Sequence, residues 1–389
     1  MFLEGGWIIM SSTITRHLIG KHKIARFDIK AFCISLCLIA INSVYAADKA
    51  PEPPEITGGI TLIGQKIKSD HPDQATMGDF GSTLSVDLNF EKKVGDGKVT
   101  VWLMHAEGFD PTPGANADYE GASGTPGTSD YQDGFSDTRI AEAKYELPMT
   151  DNLTVTFGKL SPQGYFDANN AANDQTRQFL AGVFVNNPVI PFPGHMATHA
   201  YPGGLVASFL MNETVTLQGG ILEAAHDYAG EFKRLMVIGE ADAKMEVLDG
   251  ETNLRLIAFS TETDEDPTNI YKISGFGLSF DYTYDDDYIF FARYGSRKSA
   301  TTAPDEDPKS TMSFGMQGPF GDVAFGAGYS ITKAKGKDLE KETWLEFYIQ
   351  YALAEGVLAA LDYQVAKNPG FNSAYGTFTA LGARLQVDF

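Results

Sequence analysis

The last twelve residues, Phe378-Thr-Ala-Leu-Gly-Ala-Arg-Leu-Gln-Val-Asp-Phe389, are the stretch that decides the fold of this chain. Apolar side chains at Leu381, Leu385 and Val387 alternate with polar ones at Arg384 and Gln386. A period of two predicts a β-strand with one apolar face and one polar face. A chain that ends on such a strand, with an aromatic residue last, is typical of an outer-membrane β-barrel.

The N-terminus is consistent with export. Basic residues at positions 21–30 precede an apolar run of eleven residues, Ala31–Ile41, and Val44-Tyr-Ala46 then supplies the small residues of a cleavage site. Such a run is too short to cross a bilayer as a helix. We therefore predict a signal peptide with an extended leader over 1–46, a short periplasmic segment over 47–57 and a barrel over 58–389.

Composition limits the chemistry of the mature chain. Both cysteines, Cys33 and Cys37, lie in the leader, so disulfides and thiolate metal sites are excluded. The leader carries five basic and two acidic residues, so its removal takes the formal charge from −21 to −24. A chain this acidic is a poor partner for nucleic acid. Past the leader no long apolar run remains, but a barrel needs a lipid-facing side chain only at every second position.

Alternation predicts an all-β, transmembrane antiparallel barrel of about sixteen strands, as in bacterial barrels with an even strand number. The connections alternate along the chain between tight turns, such as Lys92–Asp96 and Pro148–Asp151, and longer segments, such as 108–135 and 161–202. Short periplasmic turns and long external loops are the two ends of such a barrel.

The strand pattern also predicts which side chains face water. Odd positions such as Leu345 and Leu361 should meet lipid and lipopolysaccharide of the outer membrane, and the intervening polar residues should line a water-filled lumen. The predicted pore-wall residues are Arg139, Glu346, Asp362, Gln364 and Arg384. Arginines also fall at inward positions of the strands, namely Arg139, Arg255, Arg293 and Arg384. Facing carboxylates such as Asp167 and Asp174, they would create a transverse field, or they would simply neutralise acidic neighbours on the wall.

The longest connection, 161–202, is the third external loop, which in general porins folds into the lumen and narrows it. Its first half is rich in amides, carboxylates and aromatic rings, the groups that recognise sugar hydroxyls and stack on sugar rings. An alternative is that the Asp and Asn side chains only cap turns. The predicted constriction residues are Lys159, Tyr165, Phe166, Asp167, Asn169, Asn170, Asn173, Asp174 and Arg177.

Two stretches resemble a known family. Phe157-Gly-Lys159 followed by Tyr165–Asp174, and Tyr363-Gln364 followed by Asn368-Pro-Gly370, are similar to segments of the carbohydrate-selective porins of the OprB type. The resemblance implies a sixteen-stranded porin that passes monosaccharides such as glucose, and it suggests a homotrimer.

Other functions compete with a sugar channel. The charge of −24 favours a general or cation-preferring porin, and a barrel that only anchors the envelope is a third possibility. An enzyme is not expected, because His195 and His199 lack the adjacent Glu of a zinc protease and no Gly-x-Ser-x-Gly elbow is present. No cofactor and no metal are predicted.

Overall fold

The computed structural model describes residues 53–70, 80–109, 136–193, 201–224, 232–264, 270–285 and 287–389. The predicted leader 1–46 lies outside the described residues. The sixteen strands are β1 (Glu55–Ser69), β2 (Phe80–Val94), β3 (Gly97–Phe109), β4 (Ser136–Thr150), β5 (Leu153–Lys159), β6 (Gly203–Asn212), β7 (Val215–Glu223), β8 (Leu235–Val247), β9 (Gly250–Asp264), β10 (Ile270–Tyr284), β11 (Tyr288–Ser299), β12 (Pro308–Phe320), β13 (Val323–Ala334), β14 (Glu342–Ala354), β15 (Val357–Lys367) and β16 (Thr377–Asp388).

Every strand pairs antiparallel with its neighbours in sequence, and β1 pairs with β16 to close the barrel. The closing register runs from Gly59 opposite Asp388 to Ser69 opposite Phe378. Gly58 and Phe389 also exchange backbone hydrogen bonds of 2.8 and 3.0 Å. The terminal strand is thus the element that removes the free edge, which confirms the predicted sixteen-stranded barrel.

The connections sort by parity as predicted. Two- or three-residue turns follow the even-numbered strands from β2 to β14, and connections of at least five residues follow the odd-numbered ones. Several tight turns need a left-handed residue, for example Gly95 (φ 61°) and Gly321 (φ 64°). The first strand begins at Glu55, three residues earlier than predicted, because Glu55, Ile56 and Thr57 pair with β2.

The two faces of the wall also follow the predicted alternation. On β14 the side chain of Leu345 is 49% exposed, whereas its neighbour Glu346 is fully buried inside the barrel. Among the predicted wall residues, Asp362, Gln364 and Arg384 are likewise buried on the inner face, and Arg139 is half-buried. The described residues contain no helix that could span a membrane.

Candidate functional site

Residues 160–193 of the connection between β5 and β6 lie inside the barrel. The strand β5 has only seven residues, so the chain leaves the wall early at Lys159 and rejoins it at Gly203. A backbone bond of 2.9 Å from Leu160 to Pro202 closes the base of this segment. We name residues 160–193, all of which are described, the inner loop. It includes a 3₁₀ turn at Pro162–Gly164 and one helical turn, α1 (Gly182–Val185).

Apolar packing holds the inner loop against the wall. Phe179 lies 5.0 Å from Phe184, 5.6 Å from Phe291 and 5.2 Å from Tyr348, measured between ring centroids. A second cluster joins Phe166 and other loop residues to the inner faces of β6 to β10. The predicted interior was polar throughout. The observed interior also contains two apolar clusters, because inward apolar side chains of the wall pack against apolar side chains of the inner loop.

Small residues on the wall make this approach possible. A Cβ atom added at Gly295 would lie 2.3 Å from Val189, and one added at Gly328 would lie 2.9 Å from Phe184. Both glycines occupy inward positions of their strands, β11 and β13. Their missing side chains provide the space that the inner loop fills.

Arg293 on β11 is the most connected anchor of the loop. Its Nε donates to Oδ1 of Asp167 at 3.1 Å, and its other nitrogens donate to the carbonyl oxygens of Asp167 (3.0 Å), Ala172 (2.6 Å) and Phe184. Both charged side chains are fully buried. Burial raises the pKa of Asp167, and the Arg293 guanidinium acts in the opposite direction. A buried pair with this many hydrogen bonds fixes the loop in one position.

Strand β10 holds the next part of the loop. Asn169 Nδ2 donates to Ser279 Oγ at 3.1 Å, and the backbone N–H of Asn170 donates to Asp281 Oδ1 at 3.1 Å. Asp281 in turn accepts from Arg255 at 2.7 Å. The amides of this segment therefore bind the wall.

Strands β14 and β16 hold the far end. Both carboxyl oxygens of Glu346 accept backbone N–H groups, from Leu180 at 2.5 Å and from Ala181 at 2.9 Å. Arg384 donates to the carbonyl oxygens of Gln175 and Gln178, each at 2.7 Å. These inward charges, predicted to line the pore, contact the inner loop instead.

The predicted constriction residues thus divide into two sets. Phe166, Asp167 and Asn169 are buried between loop and wall, where a solute in the lumen cannot reach them. The remainder are half-buried or exposed: Lys159, Tyr165, Asn170, Asn173, Asp174 and Arg177. Of these, Lys159 donates to the carbonyl of Ile140 and Arg177 pairs with Asp388 at the end of β16. Of the four inward arginines, Arg255, Arg293 and Arg384 are buried against acceptors, as expected of arginines that neutralise acidic neighbours.

A different group of side chains lies where the inner loop covers the wall only partly, beside strands β2 to β4; two of its members, Tyr165 and Tyr201, belong to the β5–β6 connection. Trp102 of β3 donates from Nε1 to Asp87 of β2 at 2.8 Å, and its ring lies 5.8 Å from that of Tyr201. The ammonium of Lys144 on β4 lies 5.3 Å from the ring centroid of Tyr165. All five side chains are half-buried.

We name Asp87, Trp102, Lys144, Tyr165 and Tyr201 the aromatic passage. Asp174 of the inner loop is near enough to Asp87 to interact with it electrostatically. Burial raises the pKa of Tyr165, so its hydroxyl stays neutral and can donate. The sequence prediction included Tyr165 and the nearby Asp174 but not Trp102, Asp87, Lys144 or Tyr201. The one local signal for these is a tryptophan at an inward position among the polar residues Thr100 and Lys98.

In the described part of the chain, no group of three or more His, Cys, Asp or Glu residues could hold a metal ion. The aromatic passage offers instead ring faces, one carboxylate, one ammonium and two phenol hydroxyls, with the carboxylate of Asp174 nearby. Such a set can stack on and hydrogen-bond to a polar solute without altering it.

Comparison with known proteins agrees with the barrel. Residues 240–370 match the family of Gram-negative porins. An uncharacterised protein of Aquifex aeolicus (strain VF5) is 25% identical over 316 residues, which cover 79% of this chain and 89% of that protein.

Solved structures with the same fold have low sequence identity. The high-pH structure of Pseudomonas putida OprB superposes with a TM-score of 0.68 at 12% identity, covering 87% of this chain and 94% of that one. The anion-selective porin from Comamonas acidovorans gives 0.56 at 11% identity, with 86% and 99% covered. The trimer form of OmpT from Vibrio cholerae gives 0.54 at 10% identity, with 87% and 100% covered. The family match and the barrel together indicate an outer-membrane channel and point away from an enzyme.

Proposed function

We propose that this protein is an outer-membrane porin through which small carbohydrates such as glucose diffuse passively. The observation that carries the proposal is the aromatic passage, where the rings of Trp102, Tyr165 and Tyr201 accompany the carboxylate of Asp87 on the half-open side of the lumen. Sugars present apolar C–H faces and a rim of hydroxyls, and aromatic rings beside hydrogen-bonding groups complement both.

The inner loop makes the passage selective by occupying the opposite side of the lumen. Its anchors on β10, β11, β14 and β16 bind it to the wall, so a solute must pass beside β2 to β4. Transport needs no covalent step and no energy source, because a water-filled path lets the concentration gradient act.

A general, cation-preferring porin is the second candidate. Asp87 lies in the passage and Asp174 lies near it, and the mature chain would carry a charge of −24. A pair of carboxylates in a narrow path raises the local concentration of cations. This function would need the carboxylates but not the aromatic rings.

The deciding experiment is single-channel recording in a planar bilayer, with and without glucose, together with a reversal potential in a salt gradient. Concentration-dependent block by glucose supports the carbohydrate channel. Steady current without block, with a cation-selective reversal potential, would replace it by the general porin. Absence of any conductance would favour a barrel that only anchors the envelope.

Export and assembly complete the proposal. Cleavage after Ala46 would deliver the chain to the outer membrane, where the barrel would contact lipid and lipopolysaccharide and assemble as a homotrimer. Intact-mass measurement on protein from outer-membrane fractions tests the cleavage site, and native mass spectrometry from detergent tests the trimer. A mature chain that retains residues 1–46 would contradict the proposed cleavage, and a monomer would contradict the proposed homotrimer.

A further inference from the structure

Two carboxyl groups lie side by side at the point where the inner loop meets β14. Glu346 on β14 and Asp362 on the neighbouring strand β15 both face inward, with exposures of 0% and 3%. Glu346 is opposite Gln364 and Asp362 is opposite Tyr348, so the two carboxyl groups are diagonal neighbours on the inner face. Because a carboxylate can only accept, neighbouring carboxyl groups can hydrogen-bond to each other only when one of them holds a proton.

The other partners of this pair account for the rest of its oxygens. Asp362 Oδ1 accepts from Gln364 Nε2 at 2.9 Å, and both oxygens of Glu346 accept from the loop backbone at Leu180 and Ala181. Asp362 Oδ2 is buried and receives no N–H or protein hydroxyl donor from any described residue. A proton shared with Glu346 is the donor that this oxygen otherwise lacks.

The charged groups around Glu346 and Asp362 also favour one protonated carboxyl in the pair. Arg384 on β16 is the one cation that interacts with both carboxyls among the described residues, while Tyr348 on β14 and Asp174 on the inner loop also take part in the network. Gln364 on β15 is neutral. One guanidinium can compensate one buried negative charge, so a second ionised carboxyl would be left without a partner.

We propose that the proton shared by Glu346 and Asp362 latches the inner loop onto the wall, and that its removal at high pH releases the Leu180–Ala181 segment and widens the channel. Loss of the proton to solvent leaves two negative charges side by side in a dry site. They repel each other and draw in water, which competes with the loop N–H groups for Glu346. This inference rests on the proposed channel function in one respect, because a change in conductance can be measured only if the protein is a channel.

The test compares wild-type protein with Glu346→Gln, Asp362→Asn and the control Glu342→Gln. Glu342 is on the same strand and face and equally buried, but its hydrogen-bond partners are Trp344 and Gly370 rather than a second carboxyl. Each protein, checked for folding by its heat-modifiable gel migration, is titrated from about pH 4, where free carboxyls ionise, to about pH 9, the upper range for buried ones. Conductance and the protonated-carboxyl infrared band are recorded.

The expected result is a reversible rise in conductance with pH in wild-type and Glu342→Gln protein, accompanied by loss of an infrared band. In Glu346→Gln and in Asp362→Asn the conductance rise should be lost. The infrared band should lose less intensity with pH than in the wild type, because other buried carboxyls such as Glu342 also contribute to it. A wild-type channel without the rise, or a rise that survives both substitutions, would overturn the latch. If no protein conducts at any pH, the proposed channel function fails instead, and the difference in infrared band between wild-type and Glu346→Gln protein still decides whether the pair shares a proton.

Discussion

The inner wall has two sectors that differ in what their polar side chains do. In the sector from β8 to β16, Arg293 and Glu346 are buried beneath the inner loop and bind its backbone. In the sector from β2 to β4, Asp87, Trp102 and Lys144 stay half-buried and face the passage. Both sectors obey the same alternation along their strands. An inward polar residue is therefore a pore residue only where no other part of the chain covers it.

The strongest test of this difference is removal of the central anchor. We expect Arg293→Met to lower the free energy of unfolding by about 3–5 kcal/mol, because the carboxylate of Asp167 would stay buried without its cation. Loosening of the loop should also raise single-channel conductance. Unfolding in denaturant, followed by gel migration, gives the stability. The double variant Arg293→Met/Asp167→Asn should recover part of the loss, and no recovery would mean that the pair does not act as a unit.

Deleting the part of the loop that binds β10 should make the two sectors more alike. Without Asn169–Asp174 the loop loses its bonds to Ser279 and Asp281, so we expect higher conductance and weaker glucose block. Single-channel recording measures both. Conductance equal to that of the full chain would show that this segment does not narrow the lumen.

Substitution in the open sector should change binding without changing stability. Trp102→Leu should weaken glucose block about twofold to tenfold, since an aromatic contact contributes about 0.5–1.5 kcal/mol. The matched control is Tyr363→Leu, whose ring lies on the lipid-facing side and is 47% exposed. Equal glucose block in both variants and in the wild type would show that the ring of Trp102 does not contribute to glucose binding.

The smallest effect is expected from charge alone. Asp87→Asn keeps an acceptor for Trp102 Nε1 but removes one negative charge from the passage. We expect a shift of the reversal potential toward anions, with conductance little changed. Glu355→Gln, in the exposed turn between β14 and β15, is the control. A shift as large in the control would assign cation preference to the surface charge of the whole barrel.

Local patterns were sufficient to predict the wall. The alternation in Leu345-Glu-Phe-Tyr-Ile, the aromatic end at Phe389 and the parity of the connections all led to sixteen strands with the observed facing. Side-chain direction in a strand has a period of two whatever surrounds it, so sequence spacing alone assigns each residue to lipid or lumen.

The candidate site was only partly predictable. The amides and carboxylates of 165–174 were correctly located in the long loop, but their partners were not, because Asp167 meets Arg293 and Asn170 meets Asp281 across more than a hundred residues. No local pattern encodes such a pairing. Of the passage, only Tyr165 was predicted, since Trp102 and Asp87 become neighbours only through the register of β2 and β3.

The amino-acid sequence by itself therefore determines a closed barrel with an apolar outer face and a polar inner face, because both properties follow from strand geometry and turn chemistry. Which inward side chains meet water, and which bind the inner loop, depended on the path of residues 160–193 through the lumen. That path arises from apolar packing and buried hydrogen bonds between segments far apart in sequence, and those interactions exist only once the barrel has closed.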